Sequence, residues 1–60
     1  MISYVLVRDD GKYVSRQGSL HSYTDKLQYA RLYSSYEVAR NDACGNETPR
    51  SLEQAVRETS

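Results

Sequence analysis

The chain has no phenylalanine and no tryptophan, and only one cysteine, one histidine and one proline among sixty residues. Each shortage closes a class of explanation. A lone thiol, Cys44, cannot make an internal disulfide, and one cysteine with one histidine cannot assemble a zinc site, so neither a disulfide nor a metal is expected. No apolar run approaches the ~18 residues of a membrane span. The run Ile2 to Val7 is too short for a signal-peptide core and leads into Arg8-Asp9-Asp10 rather than into small residues. One thiol without a disulfide framework suits a reducing compartment, so a cytoplasmic location is expected.

Net charge is lacking too, with eight basic and eight acidic residues. That balance argues against a general nucleic-acid binder, which carries a basic excess, and equally against an acidic mimic of DNA. The distribution is uneven. Residues 12–40 hold five bases against two acids, a net of +3, whereas residues 41–60 hold two bases against four acids, a net of −2. One side of the molecule should favour an anion of modest size.

Sixty residues make one domain, residues 1–60, near the lower size at which a core stands alone. Twelve large aliphatic residues, counting Met1, must supply that core. With no disulfide or metal to staple it, self-association is the remaining common device, and a homodimer or higher homo-oligomer is expected.

Along the chain, Met1 to Arg8 reads as a strand, apolar on both alternating faces. Such a strand lies inside a sheet covered on two sides or at a subunit contact. Asp9-Asp10-Gly11 reads as a hairpin turn and Lys12 to Gln17 as the returning strand. Two registers are open. A two-residue turn pairs Val7 with Val14, and a three-residue turn with a glycine bulge pairs Val7 with Tyr13. Asp-Asp suits a type I turn with Gly11 left-handed, which favours the bulge. Gly18-Ser19 ends the second strand, and Leu20 to Tyr23 is a loop or short extension. Thr24 and Asp25 can cap a helical turn around Lys26-Leu27-Gln28. Tyr29 to Tyr33 alternates as a third strand, with a helix continuing from Asp25 as the alternative. Ser34-x-x-Glu37 is a capping-box pattern, opening a helix from Ser35 to about Cys44 that stops at Gly45. Its inner face would be Val38, Ala39 and Ala43, with Tyr36 or Cys44 as further candidates. Thr48-Pro49 reads as a cap and first position of a short terminal helix reaching about Glu58. The expected fold is thus α/β, of the α+β type: a small antiparallel hairpin plus a third strand, packed on one central helix, with a short C-terminal helix.

The segments KYVSR (12–16), YTDKLQYARLY (23–33) and SSYEVARNDAC (34–44) resemble a diffuse pattern in small accessory proteins of phages and prophages. The likeness spans about residues 2–45. It implies a counter-defence setting, in which anti-CRISPR proteins bind nuclease surfaces and small oligomeric sponges sequester signalling nucleotides.

The residues themselves point to binding rather than catalysis. Tyr13, Tyr23 and Tyr33 have rings that can stack on a nucleobase, and Arg16 and Arg31 can hold phosphate in a bidentate manner. Ser19 and Thr24 offer hydroxyls, and His21 a further hydrogen-bonding group. Those eight residues form the expected ligand site. The same tyrosine–arginine face suits a protein interface, so a host enzyme is the alternative partner. Equally, tyrosines must stand in for the missing Phe and Trp in the core, with their hydroxyls at the surface. Gln17-Gly18-Ser19 reads as a backbone anion nest or, more simply, as a strand-ending turn. Neither His21 nor Cys44 has an activating context, and Cys44 should be a buried, inert thiol. No enzymatic activity and no cofactor are expected. The proposed partner is a small nucleotide-like ligand.

Overall fold

A computed structural model describes residues 2–59; Met1 and Ser60 lie outside the described residues. Four antiparallel strands form one sheet in the order β3-β2-β1-β4, with two short helices, an α+β fold. The strands are β1 (Tyr4–Arg8), β2 (Tyr13–Val14), β3 (Tyr23–Thr24) and β4 (Glu47–Ser51), and the helices are α1 (Tyr36–Asp42) and α2 (Leu52–Thr59).

The doubly apolar pattern of β1 has a direct cause. The strand is interior to the sheet, and each face meets its own core. On one face Val5 packs with Tyr13, Ala30 and Ala55, with Val7, Leu27 and Leu52 at the margin. On the other Leu6 packs with Tyr33 and Ala39, bordered by Tyr4, Val14 and Ala43. Alanine from each helix touches the sheet, Ala39 from α1 and Ala55 from α2, both essentially fully buried. Small side chains let the helix backbones approach closely, which is how a chain with few large aliphatics closes its core.

The hairpin takes the bulged register. Val7 pairs with Tyr13, Gly11 has φ 90°, and the Gly11 amide donates to the Arg8 carbonyl at 2.9 Å, closing a type I turn. The Arg8 guanidinium grips the Asp10 carboxylate through two nitrogens, Nε at 3.0 Å, and the Lys12 amide donates to the same group at 3.1 Å. Led by the Arg8 contact, these hold the Asp10 carboxyl down at about 2.

Three expectations need correction. The third strand is Tyr23–Thr24, not residues 29–33. The helical alternative there shrinks to a single 3-10 turn, Leu27–Tyr29. Residues 30–33 are extended and carry only isolated bridges, Ala30 to Ser15 and Tyr33 to Tyr4. They occupy the slot beside β1 that short β2 leaves vacant. Their alternation persists: Ala30 enters one core and Tyr33 the other, while Leu32 stays 54% exposed.

The second correction is β4. Residues 47–51 are a fourth strand, where Thr48-Pro49 was expected to open a helix. Proline is tolerated because it lies on the outer edge. The amide bonds Leu52 to Ser3 (2.7 Å) and Asp9 to Asn46 (2.9 Å) fix the ladder, so Thr48 and Arg50 turn toward β1 while Glu47, Pro49 and Ser51 turn outward. The missing N–H of Pro49 therefore costs no ladder bond. The cap of α2 is Ser51, whose hydroxyl accepts from the Gln54 amide at 3.2 Å.

The third concerns α1. Its cap is Ser35, accepting from the Val38 amide at 3.2 Å, and it ends at Asp42 with Ala43 as the C-cap. Ala39 is its buried residue; Val38 and Tyr36 are about half exposed. Cys44 falls beyond the helix and is exposed rather than buried.

Candidate functional site

Helix α1 is only seven residues long and packs over β1 and β4. It leaves the β2–β3 end of its face uncovered. Two adjoining hollows open there, of about 720 and 370 Å³. Arg16, Gln17, Arg31 and Asp42 line both, so they form one cleft. Its floor includes Val14 and Tyr23, its rim the loop 16–22, and its far wall the end of α1 with Cys44 and Glu47.

The loop is shaped by Gly18, with φ 85°, the value a type II turn requires at its third position. The Ser19 amide donates to the Arg16 carbonyl at 3.2 Å. That bond uses the N–H an anion nest would need, so Gln17-Gly18-Ser19 is a turn. The Arg16 side chain is exposed and donates from Nη2 to the Gln28 carbonyl at 2.7 Å, pinning the loop's base to the 3-10 turn.

Arg31 is positioned from both ends. Its amide donates to the Val14 carbonyl at 2.8 Å, and its guanidinium faces Asp42 with Nη1 3.6 Å from Oδ2. That separation is an ion pair without a hydrogen bond. The same Asp42 oxygen accepts the Tyr33 hydroxyl at 2.6 Å. Asp42 ends α1, where a carboxylate opposes the helix dipole; Tyr33 and Arg31 are what hold it there. Burial first, then the Asp42 bond, push the Tyr33 phenol up to about 12. Among buried side-chain nitrogens and oxygens of the described residues, Arg31 Nε alone has no hydrogen-bond partner.

The opposite wall is a second polar set. Arg8 Cζ lies 3.9 Å from the centre of the Tyr23 ring, a cation–π contact. The Tyr23 hydroxyl donates to Glu47 Oε2 at 2.5 Å, and the Cys44 amide donates to Glu47 Oε1 at 2.9 Å. The Glu47 bond, then burial, raise the Tyr23 phenol above its ordinary value. Both cleft carboxylates are thus occupied internally.

Of the eight expected site residues, Arg16, Ser19, His21, Tyr23 and Arg31 line the cleft. Tyr33 lines its larger hollow but is only 7% exposed, so it supports Asp42 rather than offering a stacking face. Tyr13 does not belong. It is 6% exposed in the core under α2, on the other side of the sheet. Thr24 pairs with Tyr13 and so points to that other side, where its hydroxyl accepts from the Lys26 amide at 3.1 Å. Sequence reasoning missed Asp42 and Glu47. The only signal was negative charge following the basic segment, which reads equally well as an ordinary solvated surface.

Among the described residues no group of three or more His, Cys, Asp or Glu is placed to hold a metal. No helix among them is long and apolar enough to cross a membrane. The chain matches no protein-family model, no curated protein and no solved structure, so what the site does must be read from its own chemistry.

Proposed function

We propose that the protein is a non-enzymatic binding domain that sequesters a small phosphorylated, nucleotide-like ligand in this cleft. The observation that carries the reading is Arg31. A buried N–H without a partner costs on the order of 1–3 kcal/mol, and here it belongs to a cation whose acidic neighbour stands beyond hydrogen-bond reach. Nε itself is closed to a ligand, but the side chain is about a third exposed, so a phosphate oxygen at the guanidinium's open edge supplies the hydrogen bond that Asp42, at 3.6 Å, does not. Arg16 lies across the same cleft and can turn from the Gln28 carbonyl onto a second oxygen. Ser19 and His21 sit on the rim for hydroxyl and base edges, and part of the Tyr23 ring faces inward. No step of bond making is required; tight binding at adequate copy number removes a signal from solution. The likeness to phage accessory proteins sets which ligands to try first, namely host signalling nucleotides.

Calorimetry against mononucleotides, cyclic dinucleotides and inorganic pyrophosphate tests the reading. Binding by one of them, weakened at least tenfold in Arg31→Ala and in Arg16→Ala, is the expected outcome. An Arg31→Lys variant should recover only part of it, because a point charge lacks the planar fork. No heat from any ligand at high micromolar concentration removes the proposal.

A second reading has one observation in its favour. Leu20, at the loop tip, is 98% exposed. An apolar side chain presented that fully beside His21 suits docking on a host protein. Leu20→Ser and Arg31→Ala separate the two: Arg31→Ala is the greater loss if the cleft binds a nucleotide, and Leu20→Ser the greater loss if the loop tip docks on a protein.

A further inference from the structure

The opposite side of the sheet carries a different surface. One apolar groove of about 340 Å³ lies between α2 and the segment of the 3-10 turn, with Leu27, Leu32, Leu52 and Val56 in its walls. Another, of about 440 Å³, lies between α2 and Ile2 and shares Leu52 and Val56. The two are therefore one continuous patch. Ile2 is 67% exposed, Leu32 54% and Val56 50%. Scattered apolar residues need no explanation, but a contiguous patch does.

Several features say what covers it. Val5 and Leu6 are the largest fully buried side chains among the described residues, so much of the chain's aliphatic surface still faces out. Small domains with neither disulfide nor metal commonly complete their cores by association. Association by sheet extension is closed at β4. Of its three outward positions, Pro49 has no N–H and the Glu47 amide is spent on the Cys44 carbonyl at 3.0 Å. A net charge of zero sets no long-range repulsion between copies. Beside Val56, Glu53 and Arg57 form an i,i+4 pair at 2.5 Å with side chains about three-quarters exposed. Two such helices set antiparallel about a twofold axis near Ala55–Val56 place Glu53 opposite the partner's Arg57, and the reverse. The charge pattern is thus self-complementary in the way an isologous contact requires.

We propose that the α2 face is a homodimer interface, with α2 packed antiparallel on its copy, Val56 and Ile2 at the apolar centre and the Glu53–Arg57 pairs at the flanks. A standard contact of about 800 Å² per partner would take roughly a fifth of the 4444 Å² surface. The patch meets the Arg31 cleft at its margin, where Arg16, Ala30 and Leu32 line both, but its centre on α2 is separate, and the interface stands whether or not that cleft binds a nucleotide.

Sedimentation equilibrium from about 10 µM to 1 mM, reaching above the weakest affinities that contacts of this size show, should show the mass rise from one chain toward two. Val56→Glu should hold it at one chain with an unchanged circular dichroism spectrum, while Leu20→Glu, off the patch, dimerises as the parent does. Should Val56→Glu unfold, the exposed flanks decide. Glu53→Arg should shift the dissociation midpoint upward at least tenfold, and adding Arg57→Glu should restore it. A mass of one chain throughout the range for the parent protein overturns the proposal. So does a dimer that neither Val56→Glu nor Glu53→Arg weakens.

Discussion

Tyrosine serves both core and cleft in this chain, and Tyr33 shows how a single residue joins the two. Its ring fills the core beside Leu6 and Ala39, and its hydroxyl, at the cleft, holds Asp42. Tyr33→Phe keeps the ring and removes the bond. With Asp42 itself about half exposed, the expected loss is about 1 kcal/mol in urea unfolding. The pH sign follows from the raised phenol. The folded value is about 12 against an ordinary 10, so the native chain binds that proton more tightly than the unfolded one. The stabilisation is fully present below pH 10 and is lost as the pH climbs to about 12. Spectrophotometric titration should show late-titrating tyrosines, Tyr23 and Tyr33 among them, and Tyr33→Phe should remove the component near 12. A variant that titrates like the parent sinks the assignment. That some tyrosines belong to the core was legible from the missing Phe and Trp. Which ones was not: Tyr13 is placed by the bulge register, and Tyr33 by a bridge to Tyr4 that lies 29 residues away in sequence.

Among the elements, local chemistry set the hairpin and long-range pairing set the rest. Asp-Asp-Gly encodes its turn within three residues, which is why its position could be read in advance; the register stayed open between two pairings, and the structure takes the bulged one that Asp-Asp favours. Gly11→Ala tests that encoding. A Cβ there meets nothing within 4 Å, yet φ is 90°, so the cost is backbone strain alone, about 1 kcal/mol. Thermal unfolding should show the midpoint fall, with Val7–Tyr13 contacts intact by NMR; an unchanged midpoint would show that the turn is not under that constraint. The strand β4 was illegible for the opposite reason. Its threonine, proline and serine favour a helix start locally, and only the ladder to β1 makes them a strand. Helix α1 was found from the Ser34-x-x-Glu37 pattern, but its cap is the next serine, Ser35, and its inner face was overestimated. The helix stops at Asp42, so Cys44 never joins the apolar side.

For the whole molecule, the two clusters are small and share one strand. Val5 serves the core under α2 and Leu6 the core under α1. Neither helix can leave without exposing β1. Leu6→Ala should therefore behave as a global lesion. Cavity formation of this kind costs about 2–5 kcal/mol, against a total that for small domains lies near the bottom of the 5–15 kcal/mol range. The expected outcome is a single unfolding transition moved to much lower urea, or an unfolded chain, as read by circular dichroism. A two-step transition, with α2 signals surviving the loss of α1, would refute the shared-strand account.

The pairing of β1 with β4 also has a consequence in time rather than in energy. Val5 lies against Arg50, forty-five residues later. A strand apolar on both faces is thus made well before the neighbour that covers its second edge. The hairpin can form early and shield one edge, but the other waits for Glu47–Ser51. Such non-local closure is slow relative to hairpin formation. During that interval Tyr4–Arg8 is an unpaired, sticky edge, and the arrival of the proline-bearing strand is the event that retires it.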